Sequence, residues 1–242
     1  MTATRTANPW RDRVDATDWN AVSAGLDSLG CALTGPLLTT AEAADIAAWY
    51  PDDARFRSTV DMRRYRFGEG EYRYFAHPYP EALTALKHAL YPRLLPIARD
   101  WWTKLGRETP WPDDLDAWLQ MCHQAGQTKS TAILLKYGAG DWNALHRDLY
   151  GELVFPLQVV INLNNPGVDH AGGEFLLYEQ RPRAQSRGTA TVIPQGHGLV
   201  FTTRDRPVRS VRGWSAAPVR HGVSTVRTGV RFTLGLVFHD AA

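Results

Sequence analysis

Three side chains that ligate metals stand out by type and spacing. His146 and Asp148 lie two apart in "ALHRDLYGELVFPLQVVINLN", and His221 follows much later in "APVRHGVSTVRTGVRFTLGLVF". Side chains alternate along an extended strand, so positions i and i+2 share a face and can grip one ion. His-x-Asp alone is weak evidence: with eight His and 25 acids in 242 residues, about one such pair with Asp or Glu arises by chance. The same residues also suit a polar turn ahead of a buried strand. A second His on another strand would complete a two-His, one-carboxylate set, which leaves coordination positions on Fe(II) open to a cosubstrate and O2. Cys31 and Cys122 are the only cysteines and lie far apart, so any metal must be held by His, Asp or Glu.

Arg231 stands ten residues beyond His221, room for a strand to end, turn at Thr228-Gly229 and return alongside as "RFTLGLVF". That expectation puts a guanidinium near the metal but not on it. If the cosubstrate is 2-oxoglutarate, its keto-acid end chelates iron while its distal carboxylate needs a bidentate partner deeper inside, which suits Arg231. Thr233, two residues on and on the same face, adds a hydroxyl donor.

The elements that must position these groups fall into two textures. After about residue 130 come short β-branched runs separated by Gly, Pro, Asn and Asp: "TAILLKY", "FPLQVVINLN", "GEFLLYEQ", "TATVIP", "GLVFTT", "APVRHGVSTV" and "RFTLGLVFH". That pattern predicts a sandwich or barrel. Residues 1–130 read as a helix-rich buttress. A short strand at Cys31 to Thr34 precedes a helix capped by Thr39 or Thr40, and a second helical region is expected to break or kink near Pro92 and Pro96. Between them "FRSTVDMRRYRFGEGEYRYFAHPYP" predicts two strands around a turn at Gly68 to Gly70, giving an aromatic and basic hairpin over 62–75. With 44% hydrophobic residues, nine Trp and no Pro/Ser-rich linker near 130, a single domain over 1–242 is expected, its β core spanning 131–242. The first residues lack the apolar stretch of a signal peptide and no membrane-length apolar run occurs, so a cytoplasmic protein in a reducing compartment is expected.

His146-x-Asp148, then "GGEF" at Gly172 to Phe175, then His221 with Arg231 ten later resembles the Fe(II)/2-oxoglutarate-dependent dioxygenase superfamily, in its prolyl-4-hydroxylase-like branch. Four elements in order over residues 130–240 are far more specific than any one alone. The longer phrases "LHRDLYGELVFPLQVVINLN" and "RHGVSTVRTGVRFTLGLVFHD" are similar to a group of uncharacterised bacterial 2-oxoglutarate oxygenases. The resemblance implies a mainly β fold with flanking helices, a double-stranded β-helix or jelly roll. It implies His146, Asp148 and His221 as catalytic iron ligands and Arg231 as the 2-oxoglutarate anchor, with O2 as oxidant and ascorbate as a reductant. Tyr137 sits where relatives often place a tyrosine facing the cosubstrate pocket, and Thr233 is a further cosubstrate-binding candidate. Collagen-type prolyl hydroxylases carry Lys at the anchor, so Arg231 points to the wider branch.

The expected reaction is hydroxylation of a C–H bond in a protein residue, amino acid or small molecule, with succinate and CO2 released. Two alternatives stand beside it. The segment Arg181 to Arg231 holds ten arginines against one acid, Asp205, a local charge of +9 in a chain of net +2. With the hairpin 62–75 it has the ingredients of a groove that pairs phosphates and stacks bases, as oxidative demethylation of alkylated nucleic acid requires. A run of charge is also what a solvated face looks like. The other alternative is a non-catalytic cupin-like metal-binding module, against which Arg231 speaks, because a mere metal binder has no use for a nearby cation. His239-Asp240 reads as a surface pair near a fraying end. His77, His88, His123, His170 and His197 read as core or loop histidines, Gly172-Gly173 as a tight turn, and Glu174 as a strand-edge acid within reach of a salt bridge.

Overall fold

The computed structural model describes residues 8–148, 150–180, 185–211 and 213–242. Two antiparallel sheets form its centre. The larger has the order β1 (Cys31–Pro36), β11 (His197–Thr202), β7 (Leu157–Asn162), β15 (Arg231–Val237), β5 (Ile133–Tyr137), β4 (Glu71–Phe75), β2 (Phe56–Asp61). The smaller has the order β10 (Arg187–Thr191), β9 (Phe175–Glu179), β13 (Gly213–Val223), β6 (Trp142–His146), β3 (Gly68–Glu69), with β12 (Asp205–Ser210) paired to β13. A further antiparallel pair joins β8 (His170–Gly172) to β14 (Val226–Gly229). The strand pattern predicts a sandwich or barrel, and the fold is the jelly-roll core with flanking helices that the resemblance implies. Three strands from the first 130 residues, β1, β2 and β4, extend the larger sheet at both its ends.

Alternation along the central strands divides the labour between faces. Leu157, Val159 and Ile161 of β7 and Leu234 and Leu236 of β15 share one apolar cluster with Leu83, Leu86, Leu90 and Leu94 of α5 (Glu81–Lys104). Burying side chains of this size stabilises by roughly 2 kcal/mol each. The intervening residues, Gln158 and Asn162 of β7 and Arg231 and Thr233 of β15, are buried as well and belong to the face opposite that cluster. Helical packing on one face thus frees the other for polar chemistry. A smaller cluster of Cys31, Phe175, Leu177, Leu199, Phe201 and Val219 fills the space between the sheets. Both cysteines are free and buried.

Several expectations are corrected. α5 runs unbroken for 24 residues through Pro92 and Pro96, held by its long buried face. The expected cap at Thr39 or Thr40 is met by Thr39, which caps the helix Thr40–Ala48 and forms a reciprocal capping box with Glu42. The hairpin is built differently: β2 pairs with β4, and Met62–Tyr65 between them is a helical turn capped by Asp61 and ended by Arg66 in the left-handed region (φ 59°). Gly68–Glu69 belongs to the other sheet, where a Cβ on Gly68 would sit 2.3 Å from the Trp142 carbonyl oxygen. The strand carrying Arg231 does not return alongside that of His221. β13 and β15 lie in different sheets, because the chain between them is diverted into β14 and pairs with β8. His239 and Asp240 are fully buried, since Gln127, Trp118 and Thr131 tie the backbone of residues 238–240 into the core.

Candidate active site

His146 and His221 face each other as a cross-strand pair of β6 and β13, with ring centroids 4.3 Å apart. Asp148 follows just past the end of β6. Its carboxylate lies 3.1 Å from His221 Nε2 and 3.5 Å from His146 Nε2. Among the described residues these three form the one His/Cys/Asp/Glu group able to hold a metal, with ligand atoms all within 4.8 Å of one another. His146 Nδ1 is 2.7 Å from the Ala144 carbonyl, which can only accept, so Nδ1 carries the hydrogen and Nε2 offers a lone pair. Phe175 lies parallel to the His221 ring and Phe201 meets it edge-on, fixing its orientation. Gln158 donates to one Asp148 oxygen at 2.8 Å and the Tyr150 hydroxyl to the other at 3.1 Å.

Electrostatics favour an ionised carboxylate between two imidazoles. Burial opposes charge on Asp148, yet His221 and His146 together hold its carboxyl well below the usual range. Burial pushes His221 down despite Asp148, whereas at His146 burial is outweighed only by the combined effect of Asp148 and the Ala144 carbonyl, and the pKa rises. One carboxylate, its side chain 13% exposed, with two imidazole Nε2 atoms directed at it is the donor set that a divalent iron takes.

Arg231 is 2% exposed and sits opposite Tyr137 in the β15–β5 ladder, its guanidinium carbon 5.7 Å from that ring. Its Nη1 has no hydrogen-bond partner. Burial pushes the guanidinium down to about 10, with Tyr137 and Glu174 opposing, so it remains a cation at neutral pH. A buried unpaired cation is costly, which makes a carboxylate ligand the fitting complement. Thr233 and Tyr137 are buried on the same side, and the Tyr137 hydroxyl accepts from Asn143 at 3.2 Å. All six residues singled out in the sequence (Tyr137, His146, Asp148, His221, Arg231, Thr233) line one cavity of about 360 Å³. Tyr72, Tyr74, Tyr150 and Phe67 add an aromatic wall.

Tyr150, Gln158 and Asn143 are functional neighbours that the sequence reading passes over. Gln158 and Asn162, four apart in an otherwise apolar run, were a usable signal, because both fall on the same strand face. Other histidines find acids through the fold: His123 lies 2.8 Å and His77 3.7 Å from Asp240, and His88 lies 3.0 Å from Asp116. Glu174 accepts from the Ser224 hydroxyl and lies 3.7 Å from Arg227. The arginine-rich segment is not one exposed face. Arg206 is buried against Glu179 and Arg231 lines the cavity, while Arg187, Arg204, Arg209, Arg220 and Arg227 are exposed. Arg181, Arg183 and Arg212 lie outside the described residues.

The fold is similar to a prolyl-4-hydroxylase of Pseudomonas putida (TM-score 0.54, 15% identity, 90% of this chain and 96% of that one). It also resembles a 2OG-Fe(II) oxygenase family oxidoreductase of Burkholderia pseudomallei (TM-score 0.53, 17% identity, 93% and 92%). A prolyl hydroxylase from Trichoplax adhaerens superposes with TM-score 0.55 at 16% identity over 95% of this chain and 92% of that one. In sequence, an uncharacterised protein of Mycobacterium tuberculosis is 72% identical over 168 residues, 69% of this chain and 72% of the relative. No helix among the described residues is long and apolar enough to cross a membrane. Residues 70–241 match the model of the Oxygenase-NA family, described as "Oxygenase, catalysing oxidative methylation of damaged DNA". With its His146–Asp148–His221 cluster inside a jelly roll, the chain belongs to the Oxygenase-NA family of 2-oxoglutarate- and Fe(II)-dependent oxygenases.

Proposed function

We propose that this oxygenase acts on an alkylated base of a nucleic acid, with Arg231 as the anchor of 2-oxoglutarate. The observation that carries the substrate is the rim of the cavity. Phe67 lines it and stacks on Tyr65 at 5.6 Å, and both rings stand in solvent, 46% and 59% exposed. Arg63, Arg64 and Arg66, neighbours of this pair in the chain, are exposed as well, and Arg147 is exposed at the cavity wall. The acids beside Arg63 and Arg64, namely Glu69 and Asp61, form exposed ion pairs of the kind worth little, so phosphates can displace them. Exposed rings take a stacked base, and the aromatic wall inside admits the one drawn out of the strand. The family's own description concerns damaged DNA.

His146, Asp148 and His221 would hold Fe(II), which with 2-oxoglutarate and O2 supplies insertion of one oxygen atom into a C–H bond, coupled to formation of succinate and CO2. Gln158 and Tyr150 keep the Asp148 carboxylate turned inward. Arg231 and Thr233 receive the distal carboxylate, and Tyr137, buried beside them, keeps water out. On an N-methyl group the product is an N-hydroxymethyl base. Its C–N bond then breaks, the nitrogen keeps the electron pair and takes a proton, and the carbon leaves as formaldehyde. The test is incubation of iron-loaded protein, 2-oxoglutarate and ascorbate with methylated single-stranded oligonucleotides. Formaldehyde matched to succinate, and binding that weakens with salt, are expected. Succinate formation with neither formaldehyde nor binding at low salt returns the substrate to the protein or small-molecule class.

A further inference from the structure

Behind Arg231 lies a second cavity of about 280 Å³, lined by Asn162, His170, Gly172, Gly173, Glu174 and Arg227 among others, and Arg231 borders both cavities. Three buried residues of this rear chamber each carry a polar atom without a hydrogen-bond partner: Arg231 Nη1, Asn162 Oδ1 and His170 Nε2. Their register brings them close. Asn162 is opposite Thr233 in the ladder, two residues after Arg231, and His170 is opposite Gly229, two residues before it.

The hydrogen-bonding roles of the three atoms are fixed by their other bonds. Asn162 Nδ2 donates to two carbonyls, Asn164 at 2.9 Å and Ile193 at 2.7 Å, so the amide cannot be flipped and Oδ1 is an acceptor. His170 Nδ1 is 3.0 Å from the Gly172 carbonyl and therefore donates to it. Burial, reinforced by Arg231, pushes His170 down, which keeps the ring neutral and leaves a lone pair on Nε2. Arg231 Nη1 can only donate. One donor and two acceptors complement a hydroxyl group that accepts once and donates to either acceptor, and a water satisfies all three. The two lone pairs disfavour an anion at this point, which leaves the carboxylate to the other nitrogens of the guanidinium. Gly172 and Gly173 do more than turn the chain: their left-handed φ of 77° and 73° brings the strand in, and a Cβ on Gly173 would lie 2.7 Å from Arg231 Cδ.

We propose that His170 and Asn162 are positioning residues for Arg231, their two acceptors holding its guanidinium through a bridging hydroxyl, in the simplest case a water, in the orientation that meets the distal carboxylate of 2-oxoglutarate. This rests on the anchor role given to Arg231 above. The test is calorimetric titration of Mn(II)-loaded protein with 2-oxoglutarate and with 2-oxobutyrate, which keeps the keto-acid head and lacks the distal carboxylate. Arg231→Ala should erase the preference for 2-oxoglutarate. His170→Leu should weaken 2-oxoglutarate about tenfold, the effect of one hydrogen bond to a charged group, and leave 2-oxobutyrate unchanged. His170→Gln, whose side-chain oxygen restores an acceptor, should recover most of that loss. If Arg231→Ala erases the preference while His170→Leu weakens both ligands equally or neither, the positioning role is overturned and the anchor stands. If Arg231→Ala keeps the preference, the anchor falls and the positioning role with it.

Discussion

Among the described residues two clusters are built from the same residue types, and only one is shaped for a metal. At the active site His146, His221 and Asp148 direct their ligand atoms at one another within 4.8 Å. Elsewhere His239, Asp240 and Lys87 gather in the core, with His123 reaching Asp240 from the surface, in similar composition and with opposite consequences. His239 Nδ1 accepts from the Phe155 backbone N–H at 3.2 Å, so its Nε2 carries hydrogen and is no ligand. One Asp240 oxygen is taken by His123 at 2.8 Å, and the buried Lys87 ammonium, over the Tyr79 ring at 5.0 Å but without a hydrogen-bond partner, acts electrostatically on both His239 and Asp240. Burial and Lys87 push His239 down to about 4. Which ring nitrogen is free, and which charge stands nearby, separates a metal centre from a structural polar core more sharply than the presence of His and Asp.

That contrast can be broken most decisively by swapping the carboxylates. Asp148→Ala should abolish iron retention, measured as metal per chain after desalting, whereas Asp240→Asn should keep one metal per chain and lower Tm through loss of about 1–3 kcal/mol of buried hydrogen bonding. Equal metal loss in both would erase the distinction. Arg231→Ala should leave metal content intact and weaken 2-oxoglutarate by roughly 10- to 100-fold, the worth of a charged hydrogen-bonding partner, as read by calorimetry. Gln158→Leu removes the amide that holds Asp148 and should reduce metal affinity by about tenfold or more, detected by competition with a chelating dye.

The subtlest effect is a pH dependence at the second cluster. Burial lowers Lys87 to about 8 from its ordinary 10.5. The unfolded chain therefore binds more protons than the folded one between these values. Lys87 destabilises fully below pH 8, and that penalty lifts as pH rises towards 10.5. Lys87→Met should be more stable than the parent at pH 7, by on the order of 3 kcal/mol, and the gap should narrow to about 1 kcal/mol by pH 10 in denaturant titrations. A gap that does not change with pH would show that Lys87 is charged and compensated in the fold.

Strand periodicity makes a sandwich or barrel legible, because runs such as "FPLQVVINLN" and "RFTLGLVFH" are buried on both faces and interrupted by turn residues, and the family resemblance narrows it to a jelly roll. The inward set of Tyr137, Arg231 and Thr233 followed from alternation together with the family pattern. What could not be read was which strands become neighbours. His221 and Arg231 are ten residues apart, but the diversion of Val226–Gly229 into a pairing with His170–Gly172 sends them to different sheets. The same non-local pairing brings His170 beside Arg231, which no local spacing encodes. His239 and Asp240 looked exposed because chain ends usually fray, and here hydrogen bonds from Trp118, Gln127 and Thr131 to the backbone of residues 238–240 prevent it. The short helix at Met62–Tyr65 was hidden by alternating Tyr and Arg that mimic a strand.

The central claim is that His146, Asp148, His221 and Arg231 act together as an oxygenase centre. Its most direct test is succinate production from 2-oxoglutarate when air is admitted to anaerobically prepared Fe(II) protein, compared among wild type, Asp148→Ala and Arg231→Ala. Succinate from the wild type is expected, none from Asp148→Ala, and recovery in Arg231→Ala only at much higher 2-oxoglutarate. Metal-loaded wild type that neither binds 2-oxoglutarate nor converts it, or an Asp148→Ala protein that converts it as fast, would contradict the claim.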